Sequence, residues 1–179
     1  HAQEAPERPL YNLSLRYDIG RAMTHIRVLT SHLKYILNQA IAVTHAEKGS
    51  IMLHDPDTER LSIRVRAGLN DKVYQARVNN NEITCRSFLP GEGVAGRVFQ
   101  SGEAVFINET GGDSAFVASS SSFAKSIACI PMHVYNETIG VINVTNKKNE
   151  AGFIAEDIEM LSAVADQAAV SISKAQLWE

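Results

Sequence analysis

The chain has 179 residues, 45% of them hydrophobic and 21% charged, with a net charge of −3. That length suits one domain with a real core, and the composition excludes a wholly disordered chain. The slightly acidic balance argues against a dedicated nucleic-acid binder, and two cysteines are too few for a disulfide framework or a four-cysteine zinc site.

No apolar run reaches the roughly 18 residues of a membrane span. His1 to Pro6 carry no signal-peptide pattern and no initiator Met, so the chain reads as an excised piece of a larger cytoplasmic protein. Residues 1–12 read as a flexible lead-in and 13–179 as a single domain.

A long helix is expected from Leu13 to Ala46, because Leu15, Ile19, Ala22, Ile26, Leu29, Leu33, Ile36, Leu37, Ala40 and Ile41 recur in steps that form one stripe. Gly20 marks a break in it. Ser50 to His54 reads as a strand, and Asp55-Pro56-Asp57-Thr58 as a turn. Leu61, Ile63 and Val65 then alternate with Ser62, Arg64 and Arg66, the period of a half-buried strand. Residues 67–90 read as irregular. Val94 to Gln100 is a short helix that ends at Ser101-Gly102, and Ala104 to Asn108 is a strand.

Residues 110–125 are rich in Gly and Ser and read as a mobile loop. Strands follow at Ser126 to Tyr135 and Thr138 to Asn146, linked by Asn136-Glu137, and Pro131 predicts an edge or a bulge. The last helix runs from Ala155 to Leu177. In it Ile158, Leu161, Ala165, Ala168, Ile172 and Ala175 form an Ala-rich heptad seam suited to a helix partner. The order predicts an α+β fold with an antiparallel sheet and long helices at both ends.

Gly91-Glu92-Gly93-Val94-Ala95-Gly96 matches G-x-G-x-x-G, but no βαβ unit surrounds it, so it reads as a glycine turn into a helix. Its helix N-terminus offers free N–H groups to an anion. The histidines lack the spacing of a metal site. Cys129, within Ile127-Ala128-Cys129-Ile130, reads as a buried small hydrophobe. Cys85 has Arg86 beside it, which favours a thiolate. Asn146-Lys147 ends a strand, and Phe153, Asp157 and Glu159 open the last helix, so a Lys–Asp bridge would tie the two together.

Five segments in order resemble the GAF domain: Gly49 to Asp55, Leu89 to Val98, Ser101 to Val105, Ser126 to Met132, and Ile139 to Lys147. The resemblance covers most of the chain, from about Ile19 onward. It implies a GAF-like central antiparallel sheet with helices on one side and a small-molecule pocket on the other. It also implies a regulatory sensor that pairs through its terminal helices as a homodimer and acts on an output domain in the same chain. Asn146, Lys147, Phe153 and Asp157, with Glu159 as the final acid, are similar to a motif of the cyclic-nucleotide-binding members, in which the Lys–Asp pair supports the pocket without touching ligand. Carried over by position, the ligand-binding residues are Ser50, Arg66, Ala67, Val94 and Ala95. Gly111, Ser114 and the Phe116-Val117 pair belong to the covering loop.

Two features depart from the binding members. Arg66-Ala67 stands where an aromatic and a polar residue are usual, and the aromatic common near Gly111 is missing. Cyclic AMP or cyclic GMP is therefore one candidate ligand, and another small anion is the other. Two further readings stand beside the sensor. One is a ligand-free dimerisation and relay module. The other is an enzyme similar to free methionine sulfoxide reductases, although the glycine segment lacks the cysteine of that branch.

Overall fold

The computed structural model describes residues 8–109 and 124–176. The elements in chain order are α1 (Arg8–Thr44), β1 (Ala46–Asp55), β2 (Arg60–Ala67), α2 (Lys72–Asn79), α3 (Gly93–Ser101), β3 (Val105–Ile107), β4 (Ile127–Val134), β5 (Glu137–Lys147) and α4 (Ala155–Gln176). The five strands form one antiparallel sheet in the order β2-β1-β5-β4-β3. Each side of the sheet buries its own apolar cluster.

On one face lie α1 and α4. Leu33, Ile36, Leu37 and Ala40 of α1 meet Ile51, Val65, Ile130, Ile142 and Val144 of the sheet. The α1 stripe thus works as the spacing predicts from Leu29 onward, while Ile26 points to solvent. The helix starts at Arg8, five residues before Leu13, and runs through Gly20 without a break. Pro9 sits in the first turn, where its missing N–H is no loss. It ends at Thr44 rather than Ala46, and the left-handed His45 alone joins it to β1.

The heptad seam of α4 is spent inside the molecule. Leu161, Ala165, Ala168 and Ile172 are each 1% exposed or less and belong to the same cluster as the α1 stripe. Alanines there let α4 approach α1 and β4 closely. The residues left on its outer face are others, including Met160 and Val170.

The opposite face is partly covered by α3. Val94, Ala95 and Val98 pack on Met52, Leu61, Ile127, Cys129 and Val141. The strict alternation expected along β2 is interrupted. Ile51 pairs with Val65 but Met52 with Ile63, so Arg64 is an extra residue in the ladder. That bulge sends Val65 and Ala67 to the α1 side and Ile63 to the other. Arg64 itself donates to Thr30 Oγ1 of α1 at 2.8 Å, and burial pulls its pKa below the ordinary value.

The segment expected to be irregular contains α2. Its N-cap Asp71 accepts the Tyr74 N–H at 2.9 Å. The β4–β5 turn is Tyr135-Asn136, both at positive φ, one residue earlier than the Asn136-Glu137 link. Pro131 lies beyond the end of β3, whose last pairing on that side is Val105 with Cys129. β4 is an edge strand there, and it bulges between Met132 and His133. The expected loop of residues 110–125 lies mostly outside the described residues.

The inward seam sets an expected pair of outcomes. Leu161→Ala lowers the unfolding free energy by about 2–5 kcal/mol, whereas Val170→Ala changes it by less than about 0.5 kcal/mol. Urea unfolding of dilute protein measures both, and the opposite order would mean that the seam faces outward.

Candidate functional site

A cavity of about 140 Å³ opens on the sheet face away from α1 and α4. Its floor is made by Ser50 and Met52 of β1, Ile63 and Arg66 of β2, and Asn143 and Thr145 of β5. Lys48, Leu69, Arg86, Phe88, Ala124 and Ile127 rim it. Lys48, Arg66 and Arg86 are cationic, and no carboxylate lines it among the described residues.

The register explains the floor. Ser50 pairs with Arg66 on one side and with Asn143 on the other, and Asn143 pairs with Cys129. Directly paired residues face the same way, so these four form one transverse row. Arg66 enters it only because of the bulge at Arg64. Its backbone is fixed by Asn79, the last residue of α2: Asn79 Oδ1 accepts the Arg66 N–H at 2.7 Å and Nδ2 donates to the Arg66 carbonyl at 2.9 Å. The buried Asn79 amide thus acts as one more strand at the sheet edge.

Two polar atoms in the cavity wall have no hydrogen-bond partner: Arg66 Nε and Asn143 Oδ1. Asn143 is 5% exposed. Buried polar groups are nearly always paired, and an orphaned donor and an orphaned acceptor on residues of one cavity make it the candidate ligand site.

The rim is stiffened by Glu92. Its Oε2 accepts the Leu89 N–H at 2.9 Å, and its Oε1 takes Arg86 at 3.3 Å. The Leu89 N–H, helped by Arg86 and opposed by burial, holds the Glu92 carboxyl below the ordinary carboxylate range. Arg86 lies over the Phe88 ring at 5.2 Å. The glycine motif serves geometry. Gly91 donates to the Gly96 carbonyl at 2.8 Å, and a Cβ on Gly96 would stand 2.4 Å from the Leu89 carbonyl.

Behind Arg66, Tyr74 and Cys85 touch, with Oη and Sγ 3.9 Å apart. That contact, helped by burial, raises the Tyr74 pKa while Arg66 pulls it down. Cys129 is fully buried, and burial pushes its thiol far above the ordinary range. It is a neutral thiol near pH 7, packed as a small hydrophobe.

Of the sequence-derived ligand positions, Ser50 and Arg66 line the cavity. Ala67 does not: the bulge turns it into the α1-side core. Val94 and Ala95 do not line it either: both pack in the core beneath α3, and Val94 lines a second cavity of about 280 Å³ with Arg97, Val98 and Ala104. Gly111, Ser114, Phe116 and Val117 lie outside the described residues. The sequence reading missed Asn143, Lys48, Arg86 and Phe88. Asn143 carried a signal: it is a polar residue in the apolar run Val141-Ile142-Asn143-Val144, which no half-solvated strand requires.

The motif residues Asn146, Lys147, Phe153 and Asp157 meet at the start of α4. Lys147 Nζ lies 2.8 Å from both carboxylate oxygens of Asp157, with side chains only 7% and 3% exposed. Asp157 Oδ2 also accepts the Ile154 N–H at 3.0 Å, the back half of a capping box. Asn146 has φ +60, a conformation Asn tolerates better than most residues. This breaks the strand alternation after Thr145 and turns Lys147 toward α4. The Asn146 side chain accepts the Lys125 N–H at 2.7 Å and donates to Glu47 at 3.2 Å. On the other side, Asn108 Oδ1 accepts the Phe153 N–H at 2.7 Å and Nδ2 donates to the Phe153 carbonyl at 3.0 Å. Glu159, the proposed final acid, is exposed and has no such tie.

Asp157→Ala leaves a buried ammonium unpaired. It costs about 3–5 kcal/mol, which lowers Tm by on the order of 10 °C, while Glu159→Gln shifts it little. Scanning calorimetry decides, and equal effects would remove the ion pair from its central place. Glu92 gives a pH signature. A carboxyl whose folded pKa is lowered contributes stability above its unfolded value and loses it as pH falls through the folded one. Glu92→Gln is therefore less stable than the parent near pH 7, and the gap closes as pH falls below the ordinary carboxylate range. Melting curves across that interval test this, and a gap that persisted in acid would contradict it.

A GAF domain family model matches residues 29–173. The chain is 26% identical over 185 residues to the probable 3',5'-cyclic phosphodiesterase pde-5 of Caenorhabditis elegans, covering 100% of this chain and 25% of that protein. It is 23% identical over 170 residues to the nitrogen fixation protein VnfA of Azotobacter vinelandii, covering 89% of this chain and 30% of that one. It thus spans less than a third of either relative. The GAF domain of a phosphoenolpyruvate-protein phosphotransferase from Coxiella burnetii superposes with a TM-score of 0.71 at 15% identity, over 92% of this chain and 96% of that one. That likeness concerns the fold alone. The matched family model, the five-stranded sheet with helices on one face and the cavity on the other agree: this chain belongs to the GAF domain family, the signalling sensor domains.

Proposed function

We propose that this domain senses a small anionic ligand, with cyclic nucleotides among the candidate classes, and relays its binding to an output domain of the same protein. The observation that carries this is the continuity between the cavity and the start of α4. Ala124, Ile127 and Thr145 line the cavity. Their chain neighbours Lys125, Ser126 and Asn146 are hydrogen-bonded to one another, and Lys147 takes Ser126 Oγ through its N–H at 3.0 Å before pairing with Asp157. A ligand that pulls on this wall also pulls on the first turn of α4. Two discrete positions of that turn are what a relay needs.

The relatives' lengths support an output domain elsewhere in the protein, since each relative is more than three times as long as the stretch it shares. A second copy of this chain is the partner we assign to the outer faces of the terminal helices. Val28 and Tyr35 of α1 and Met160 and Val170 of α4 are exposed apolar side chains there. The inward seam takes no part. An enzyme similar to the free methionine sulfoxide reductases finds little support, because Cys129 is buried as a neutral thiol and Cys85 lies against Tyr74.

The test pairs thermal shift with hydrogen exchange, using cyclic AMP, cyclic GMP and a panel of small carboxylates and phosphates. A ligand at one hundred times its Kd adds about 2.7 kcal/mol and slows exchange in the first turn of α4. Ser126→Ala, which removes the hydroxyl that accepts the Lys147 N–H, keeps the thermal shift and loses the exchange effect. A dimer that no compound stabilises, in protein shown by mass spectrometry to carry no bound molecule, would establish a ligand-free relay module instead.

A further inference from the structure

The two terminal helices each carry a second seam that the core does not use. On α4, Glu156, Met160, Ala163, Gln167, Val170 and Lys174 recur in steps of four and three, and all are exposed. On α1, Val28, Ser31, Tyr35, Asn38 and Ala42 recur in the same steps, and all are exposed. Steps that alternate between three and four are the pattern by which one helix meets another. Val28 is 62% exposed, Tyr35 60% and Val170 54%. Apolar side chains aligned in this way on a surface mark an interaction site.

The residues along the seams select how a second copy sits. α1 ends and α4 begins beside one strand pair, Ala46 with Lys147, so the two helices run antiparallel. A two-fold axis parallel to them keeps every residue at its own height and lays α1 of each copy antiparallel on α4 of the other. Tyr35 stands nine residues before Thr44, and Ala163 eight after Ala155, so these two lie at similar heights, a large side chain facing a small one. Two turns further along, Val28 meets Val170. Lys34 and Asp166 each precede a seam residue, on the flank that antiparallel helices bring together, and in this register they face each other. Neither takes part in an ion pair among the described residues.

Pairing α4 with its own copy is worse. Antiparallel, it sets Asp166 against the partner's Asp166. Parallel, it sets Glu156 against the partner's Glu156 and Lys174 against the partner's Lys174. Like charges opposed across an interface suppress that arrangement.

Resting on the pairing of copies proposed above, we infer that α1 of one copy lies antiparallel on α4 of the other, with Tyr35 against the partner's Ala163, Val28 against the partner's Val170 and Lys34 paired with the partner's Asp166. Symmetry makes each contact twice.

Two independent experiments on the chain test this. In sedimentation equilibrium, Lys34→Glu or Asp166→Lys alone raises the dimer dissociation constant by about tenfold, since two modest surface pairs turn repulsive at once. The double variant returns it to near the parent value. In the second experiment, the Tyr35→Cys and Ala163→Cys chains are mixed, allowed to exchange and oxidised. They form a disulfide-linked dimer together, and neither does so alone.

Cross-linking of either cysteine variant with itself would show self-pairing of a helix, and would overturn this inference while leaving the pairing of copies standing. A charge swap that fails to restore the dimer would overturn it in the same way. A parent chain that stays monomeric at high concentration would overturn the inference together with the pairing on which it rests.

Discussion

The ion pair between Lys147 and Asp157 joins the end of β5 to the start of α4. At 2.8 Å and nearly without solvent, it is too costly to leave half-made. Its geometry therefore fixes three things at once: the end of β5, the first turn of α4, and the path between them. Asp157 does more than neutralise. By accepting the Ile154 N–H it also caps α4, so the same carboxylate that anchors the helix defines where it begins.

Asparagine side chains extend that anchoring to the neighbouring segments. Asn108 and Asn79 each present an amide that copies a strand's donor and acceptor, one to Phe153 and the other to Arg66. Asn146 holds the chain at Lys125 in a backbone conformation few other residues accept. Both described ends of the connection between β3 and β4 are thereby tied to the start of α4. The cavity shares one of those ties. A site whose wall is continuous with a helix terminus can bias that helix by hydrogen bonding alone, with no rearrangement of the core.

The sheet separates stability from recognition. One face packs a chiefly apolar cluster against α1 and α4, and the close fit of the α4 alanines makes it a rigid base. The other face leaves a transverse row of Arg66, Ser50 and Asn143 incompletely satisfied. Orphaned groups cost stability, and a rigid base on the opposite face is what lets the fold carry them. The bulge at Arg64 is the hinge of this division, since it puts Val65 in the base and Arg66 in the cavity from adjacent positions.

The sequence by itself determined the family and the elements other than α2, whose segment reads as irregular. Apolar spacing is local, and so the α1 stripe, the short glycine-bounded helix and the paired strands of the C-terminal half could all be read directly. The motif residues Asn146, Lys147, Phe153 and Asp157 were equally legible, because their distances along the chain are short. Only the tertiary structure decided which way surfaces face. A heptad seam looks the same whether it meets another chain or its own α1, and burial settles that for Leu161 to Ile172. Strand alternation predicts a face only until a bulge shifts its phase, which is why Ala67 left the site and Arg66 stayed. Asn143, Lys48 and Arg86 come together from distant positions. Their joint chemistry exists only in the register of the sheet, which no local pattern encodes.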